Sequence, residues 1–283
     1  MSSRGGTEHV TLLRAAIDRI ERGGSRPPVR RDEGCAAIAL GPDGLGLDRL
    51  LGGGLRRGAL HEIAPAAATD EGAAARFAVA VAVRALATHP AVVWIVDGCA
   101  VSESGAPYRP GLEGNGLDPD RLVVVRTRSA AETLWAAEEA LRAGDALVLA
   151  ELWAGRGYGL APSRRLVLAA QHRGGTALLL HAGRGGAEPM STGCDTRLVV
   201  AARPSRHLPA ATGPVPVPGP PAFAVRIAKA RSAAAAIDPL QVFVLAWAPI
   251  QRCFHDPDHP VAVAAAPADR PAAPQRRSAR RRP

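Results

Sequence analysis

Residues Gly58–Leu86 read GALHEIAPAAATDEGAAARFAVAVAVRAL. An apolar run that begins after Gly58 predicts a buried strand over Ala59–Ala64, Pro65–Gly72 a small-residue loop, and Ala73–Thr88 a helix that is apolar on nearly every face. Such a helix must be covered on both sides. Strand, small-residue loop and helix in that order form the layout of a phosphate-binding loop. That chemistry needs glycines for close backbone approach, a lysine for the terminal phosphates and a Ser or Thr for magnesium. Here the loop offers PAAATDEGAAA, with Gly72 its one glycine and no lysine. Asp70 and Glu71 place negative charge where an anion would have to sit, in the role of first-turn acids.

The 283-residue chain is 47% hydrophobic, enough for a sizeable core in one generous domain or two small ones. No run approaches the roughly 18 to 20 apolar residues a membrane span requires, and MSSRGGTEHVTLLRAAIDRIERGG carries charges where a signal peptide needs an apolar centre. The expected location is the cytoplasm. Cys35, Cys99, Cys194 and Cys253 are far apart without metal spacing and are expected to be buried small residues. The net charge is +9, but Asp269–Pro283 holds six arginines against one aspartate, so the body is only mildly basic. Any electrostatic argument for nucleic acid therefore rests on the tail.

Three regions follow: residues 1–33 as an N-terminal helix and linker, 34–256 as an α/β domain, and 257–283 as a disordered basic tail. Thr7–Arg22 has helical apolar spacing and ends at Gly23-Gly24. A short LDRLL helix between glycine turns leads into the first strand. Further strands are expected at Ala91–Val96, Leu122–Arg126, Ala146–Glu151 and Thr176–His181, with Val101–Asp120 as a long loop. Ser129 and Glu132 have capping-box spacing before a helix that closes at Gly144, and Pro162–Arg173 forms the next helix, with Gly174-Gly175 after it. Alternating strands and helices imply a mostly parallel sheet with right-handed crossovers. Beyond Met190 come strands without helices, Thr196–Ala202, Phe223–Ala230 and Leu240–Ala248, read as an antiparallel extension. The proline-rich stretch at 204–221 is read as a loop outside the ladder.

Asp97 and Glu151 are expected at carboxyl ends of buried strands, where nucleotide hydrolases hold magnesium and activate water. Acids there also anchor loops, the reading favoured without a phosphate cradle. With Asp70 and Gly72 they form a vestigial nucleotide site, and no cofactor is expected. CFHDPDH, Cys253–His259, gathers potential metal ligands, but Pro257 prevents helical presentation of its histidines. Arg276, Arg277, Arg280, Arg281 and Arg282 could meet DNA or RNA phosphate, an acidic protein surface, or only solvent. No aromatic residue interleaves them.

The order of these segments resembles the ImuA family, RecA-like proteins encoded beside an inactive Y-family polymerase-like protein and an error-prone replicative polymerase. The residues that carry the resemblance are GLGLDRLLGGGLRRGALHEI (Gly44–Ile63), AVVWIVD (Ala91–Asp97), Gly116–Leu152 and SRRLVLAAQHRGGTALLL (Ser163–Leu180). The resemblance implies a RecA-like α/β fold and an accessory role in SOS-induced mutagenesis and translesion synthesis. Its implied partners are the ImuB-type polymerase-like protein, the error-prone polymerase and RecA. RecA relatives place a catalytic glutamate two positions after Asp97; here that residue is Cys99. Three readings remain open: a non-catalytic scaffold, an ATPase with an unorthodox loop, and a DNA-binding protein working through the tail.

Overall fold

The computed structural model describes residues 37–42, 45–153, 157–183, 191–208, 217–233 and 237–257. The N-terminal helix expected at Thr7–Arg22 and the basic tail lie outside them. A nine-stranded sheet forms from β1 (Leu60–Pro65), β2 (Val92–Asp97), β3 (Leu122–Thr127), β4 (Leu147–Trp153), β5 (Thr176–Ala182), β6 (Thr196–Arg203), β9 (Ala222–Ala230), β10 (Val242–Ala248) and β11 (Cys253–His255). Its order is β11-β10-β9-β6-β1-β5-β4-β2-β3. The two short strands β7 (His207–Leu208) and β8 (Val217–Pro218) pair only with each other, which keeps the proline-rich segment off the main ladder.

The helices are α1 (Gly46–Leu50), α2 (Glu71–Ala85), α3 (Gly98–Ser104), α4 (Arg109–Gly114), α5 (Ala130–Ala143) and α6 (Leu160–Arg173). The fold is the mostly parallel α/β sheet with antiparallel C-terminal strands that the sequence implied. Two corrections concern connectivity. β6 pairs parallel with β1, so the antiparallel part begins only at β9. The stretch expected as a loop over Val101–Asp120 instead contains α4 and much of α3, since its glycines and prolines sit at turn ends and first turns rather than throughout.

Helix α2 starts two residues earlier than expected, after a single turn of tight helix at Ala68–Asp70. Every residue from Phe77 to Val83 is buried, which covers all faces over nearly two turns. Sheet residues Ile63, Leu180, Val200 and Val225 cover one side. The segments carrying Ile38, Leu55 and Leu117 join the same core. Phe77 meets Phe223 and Phe254 at centroid distances of 5.6 and 4.9 Å, and Trp247 adds a third aromatic contact on Phe254. The alanines of α2 let these elements approach its backbone.

The opposite sheet face carries α5 and α6, which bury Ala137, Leu141, Leu166 and Ala169 against Leu60, Val148 and Leu179. The Ser129 hydroxyl accepts the Glu132 N–H, while Glu132 accepts from the Arg128 N–H, one residue before the cap. Gly174, at φ 78°, takes the left-handed position that ends α6. At the amino-terminal edge, His89 bridges Asp145 at 2.7 Å and Thr176 at 2.9 Å. The relay has the order of a hydrolytic triad, but Thr176 is 1% exposed and no substrate reaches it. It pins α2, β4 and β5 together.

Candidate functional site

The chain leaving β1 does not form an open cradle. The Ala66 N–H donates to Val200 O at 2.8 Å, the Ala67 N–H to the Asp70 carboxylate at 3.1 Å, and the Asp70 N–H back to Ala67 O at 2.9 Å. The other Asp70 oxygen accepts the Ala202 N–H at 2.9 Å. Asp70 thus sews the loop to β6, and the N–H groups of Ala66, Ala67 and Asp70 are committed internally. Gly72 lies in open space in the first turn of α2, where a side chain would meet nothing within 4 Å.

Asp97 and Glu151 lie on adjacent strands, Glu151 in register with Val96. Their side chains serve different faces. Asp97 accepts the Cys99 N–H at 2.9 Å and so caps α3, the loop-anchoring role weighed from the sequence. Glu151 sits two residues inside the end of β4, on the side of α2. Burial pushes its carboxyl up to about 7, Asp97 and Glu71 add to the shift, and the Trp94 indole opposes it. A buried acid with two acidic neighbours holds its proton near neutrality and makes a poor magnesium ligand until deprotonated. Among the described residues no group of three or more His, Cys, Asp or Glu is arranged for a metal.

The cysteines are less uniform than expected, since Cys194 is buried but Cys99 is exposed and Cys253 intermediate, while Cys35 lies outside the described residues. In the CFHDPDH segment Cys253–His255 forms edge strand β11 with Phe254 in the core, and Asp258 and His259 lie outside the described residues.

Sequence reasoning missed a densely connected buried polar group among the described residues. Glu62, at the middle of β1, is fully buried. Its carboxylate accepts from the Tyr158 hydroxyl at 2.6 Å, the Thr192 hydroxyl at 2.7 Å and Arg197 Nε at 2.6 Å, with His181 Nε2 at 3.5 Å. Burial alone would raise its pKa; His181, Tyr158 and Arg197 together hold it well below the usual carboxylate range. Tyr158 shifts upward in turn, through burial and the Glu62 charge. The Lys229 ammonium donates to Thr192 O at 2.6 Å. This network joins β1, β5, β6 and β9 to the residues that follow β4 and precede β6. The readable signal was an acid inside an otherwise apolar buried strand, LHEIAP.

Between the amino-terminal ends of α5 and α6 lies a cavity of about 690 Å³, walled by Leu134, Trp135, Trp153 and Pro162, with Arg128 and Arg165 beside it. Asp97 forms part of its lining.

Over 194 aligned residues the chain is 37% identical to Protein ImuA of Caulobacter vibrioides, in each of two strains, an alignment that spans 64% of this chain and 73% of that protein. The chain belongs to the ImuA family. No family model matches it. Among solved structures, that of the RadB recombinase is 16% identical with a TM-score of 0.47, covering 74% of this chain and 96% of the other. In this ImuA-family chain Asp70, Gly72, Asp97 and Glu151 are therefore distributed over a stitched loop, an open first turn and two faces of one sheet. Arg276, Arg277, Arg280, Arg281 and Arg282 lie outside the described residues.

Proposed function

We propose that this ImuA-family protein is a non-catalytic, RecA-like accessory and scaffold protein of SOS-induced mutagenesis. In this reading it works in the cytoplasm and supports translesion synthesis by an error-prone polymerase assembly. Membership of the ImuA family carries the proposal. Its partners are an inactive Y-family polymerase-like protein of the ImuB type, the error-prone replicative polymerase and RecA. The non-catalytic part is supported by a loop after β1 that has no lysine, spends the N–H groups of Ala66, Ala67 and Asp70 on its own chain and anchors Asp70 to β6. The degenerate loop then persists as the turn that delivers α2 into the core, and the fold serves as a platform for binding. Arg276, Arg277, Arg280, Arg281 and Arg282 give the tail a salt-sensitive attraction for DNA phosphate or for an acidic partner surface.

The test is capture of the cognate polymerase-like protein by the purified full chain, and by a version ending at Pro257, with and without ATP. Capture that ignores ATP supports the scaffold, and its loss on truncation assigns the contact to the tail. ATP hydrolysis that disappears in Glu151→Gln would replace the scaffold reading with an ATPase.

A further inference from the structure

The sheet is covered unevenly. On the face away from α2, helices α5 and α6 pack on residues of β1, β2, β4 and β5, and among the described residues β6, β9, β10 and β11 add nothing to that core. Alternation along the strands sets the direction of their other side chains. Leu198, Val200, Phe223, Val225 and Ile227 point into the α2 core, so Arg203 on β6 and Arg226 on β9 point to the open face. Lys229 joins them beyond a bulge that sets it opposite Arg197. Register places these cations in one row: Arg203 stands opposite Ala222 at the start of β9, Arg226 and Lys229 follow, and Arg231 lies just past the end of the strand. At roughly 3.3 Å per residue the row runs for about 30 Å. Arg164, on the exposed side of α6 beside Gly193, flanks it. The charge is not cancelled. Among the described residues Arg164, Arg203, Arg226 and Arg231 have no acidic partner, and Lys229 donates to a carbonyl, Thr192 O. β6, β9, β10 and β11 contain no Asp or Glu. The acids that touch β6 and β9 are already engaged: Glu62 by Arg197, Asp195 by Arg56 and Ser232, Asp70 by the N–H groups of Ala67 and Ala202.

We propose that this open face is a nucleic-acid contact that holds the phosphate backbone along β9 and reads no base. Charge and shape select the occupant. A phosphate backbone is a regular line of negative charge, which a line of unpaired cations matches, and the paired alanines Ala201 and Ala224 between Arg203 and Arg226 let it approach the sheet. The rings of these strands, Phe223, Trp247 and Phe254, belong to the α2 core and are not available to stack on bases. An acidic peptide needs a recessed apolar anchor site, and the flat alanine pair supplies none. The contact is separate from the arginine tail and independent of the scaffold reading.

The experiment titrates the full chain into fluorescein-labelled single-stranded and duplex DNA of one sequence, followed by anisotropy over a range of salt concentrations. Arg203→Gln combined with Arg226→Gln should weaken binding about tenfold at physiological salt and lower the slope of log affinity against log salt by about two, one for each lost phosphate contact. Arg203→Lys combined with Arg226→Lys, which keeps the charge, should bind as the parent does. Arg109→Gln, at an exposed cation of α4 paired with Glu113, should leave binding unchanged. A tighter grip on single strand or duplex supports the proposal and names the form held. Binding that ignores the glutamine pair overturns it. So does loss of binding in the lysine pair, which would make the two arginines structural. Loss of all binding when Arg276, Arg277, Arg280, Arg281 and Arg282 alone become glutamine would give the DNA to the tail. Displacement of the DNA by polyglutamate of equal charge would give the face to an acidic protein, and either result overturns the proposal.

Discussion

Glu151 and Glu62 are both buried glutamates on neighbouring parts of one sheet, and their partners send them in opposite directions. Glu151 is raised to about 7 from an ordinary 4.5, so across that window the folded chain holds a proton that the unfolded chain releases. Stability through this group is therefore greatest at low pH and falls as pH rises through the window, by about 3 kcal/mol in all. Glu151→Gln should remove that slope, giving a variant more stable than the parent at pH 8 and closer to it at pH 5, as read by urea melts at both values. Glu62 is lowered by Tyr158, His181 and Arg197, and its removal leaves Arg197 buried without its carboxylate. Glu62→Leu should cost about 3 to 5 kcal/mol and Tyr158→Phe about 2, measured by the same melts. Of these two residues only Glu151 was read as a site from the sequence, because strand-end acids have a known chemistry. Glu62 gained its meaning from Thr192 and Arg197, about 130 residues away in the chain, and no local pattern carries that pairing.

Among the elements, α2 was the most legible, since an alanine- and valine-rich run with no polar face can only be a covered helix. The price of that coverage is intolerance of size. Ala80→Leu, at a position fully buried within the aromatic and aliphatic shell, should destabilise the chain by about 1 to 3 kcal/mol or more, and the same change at the open Gly72 position should leave the core intact; thermal melts separate the two. Helix α5 was equally readable from its cap, and Ser129→Ala should cost about 1 kcal/mol through loss of the bond to the Glu132 N–H. The segment now seen as α3 and α4 was not legible. Its Gly and Pro content reads as loop in sequence, but the Asp97 cap on α3 and Pro110 in the first turn of α4 turn breakers into starters. The parallel pairing of β6 was hidden for another reason: the sequence pattern of a strand does not encode its direction.

At the scale of the whole molecule, the sheet packs one apolar helix on one face and α5 and α6 on the other, with the Glu62 network near its centre and the Trp135 groove at the carboxyl ends of the strands. The fold class and the ImuA kinship were legible because ordered motifs survive across Gly44–Leu180. The groove was not, because Trp135, Trp153 and Pro162 come from three different elements and meet only through the crossovers. The account's central claim is that this architecture works by binding and without nucleotide chemistry. The measurement that tests it most directly is quantitative capture of the cognate polymerase-like protein by the full chain, repeated with magnesium and ATP across millimolar concentrations. The account predicts the same bound fraction at every ATP concentration and in Glu151→Gln. Capture that requires ATP, or that Glu151→Gln abolishes while the variant remains folded, would contradict it.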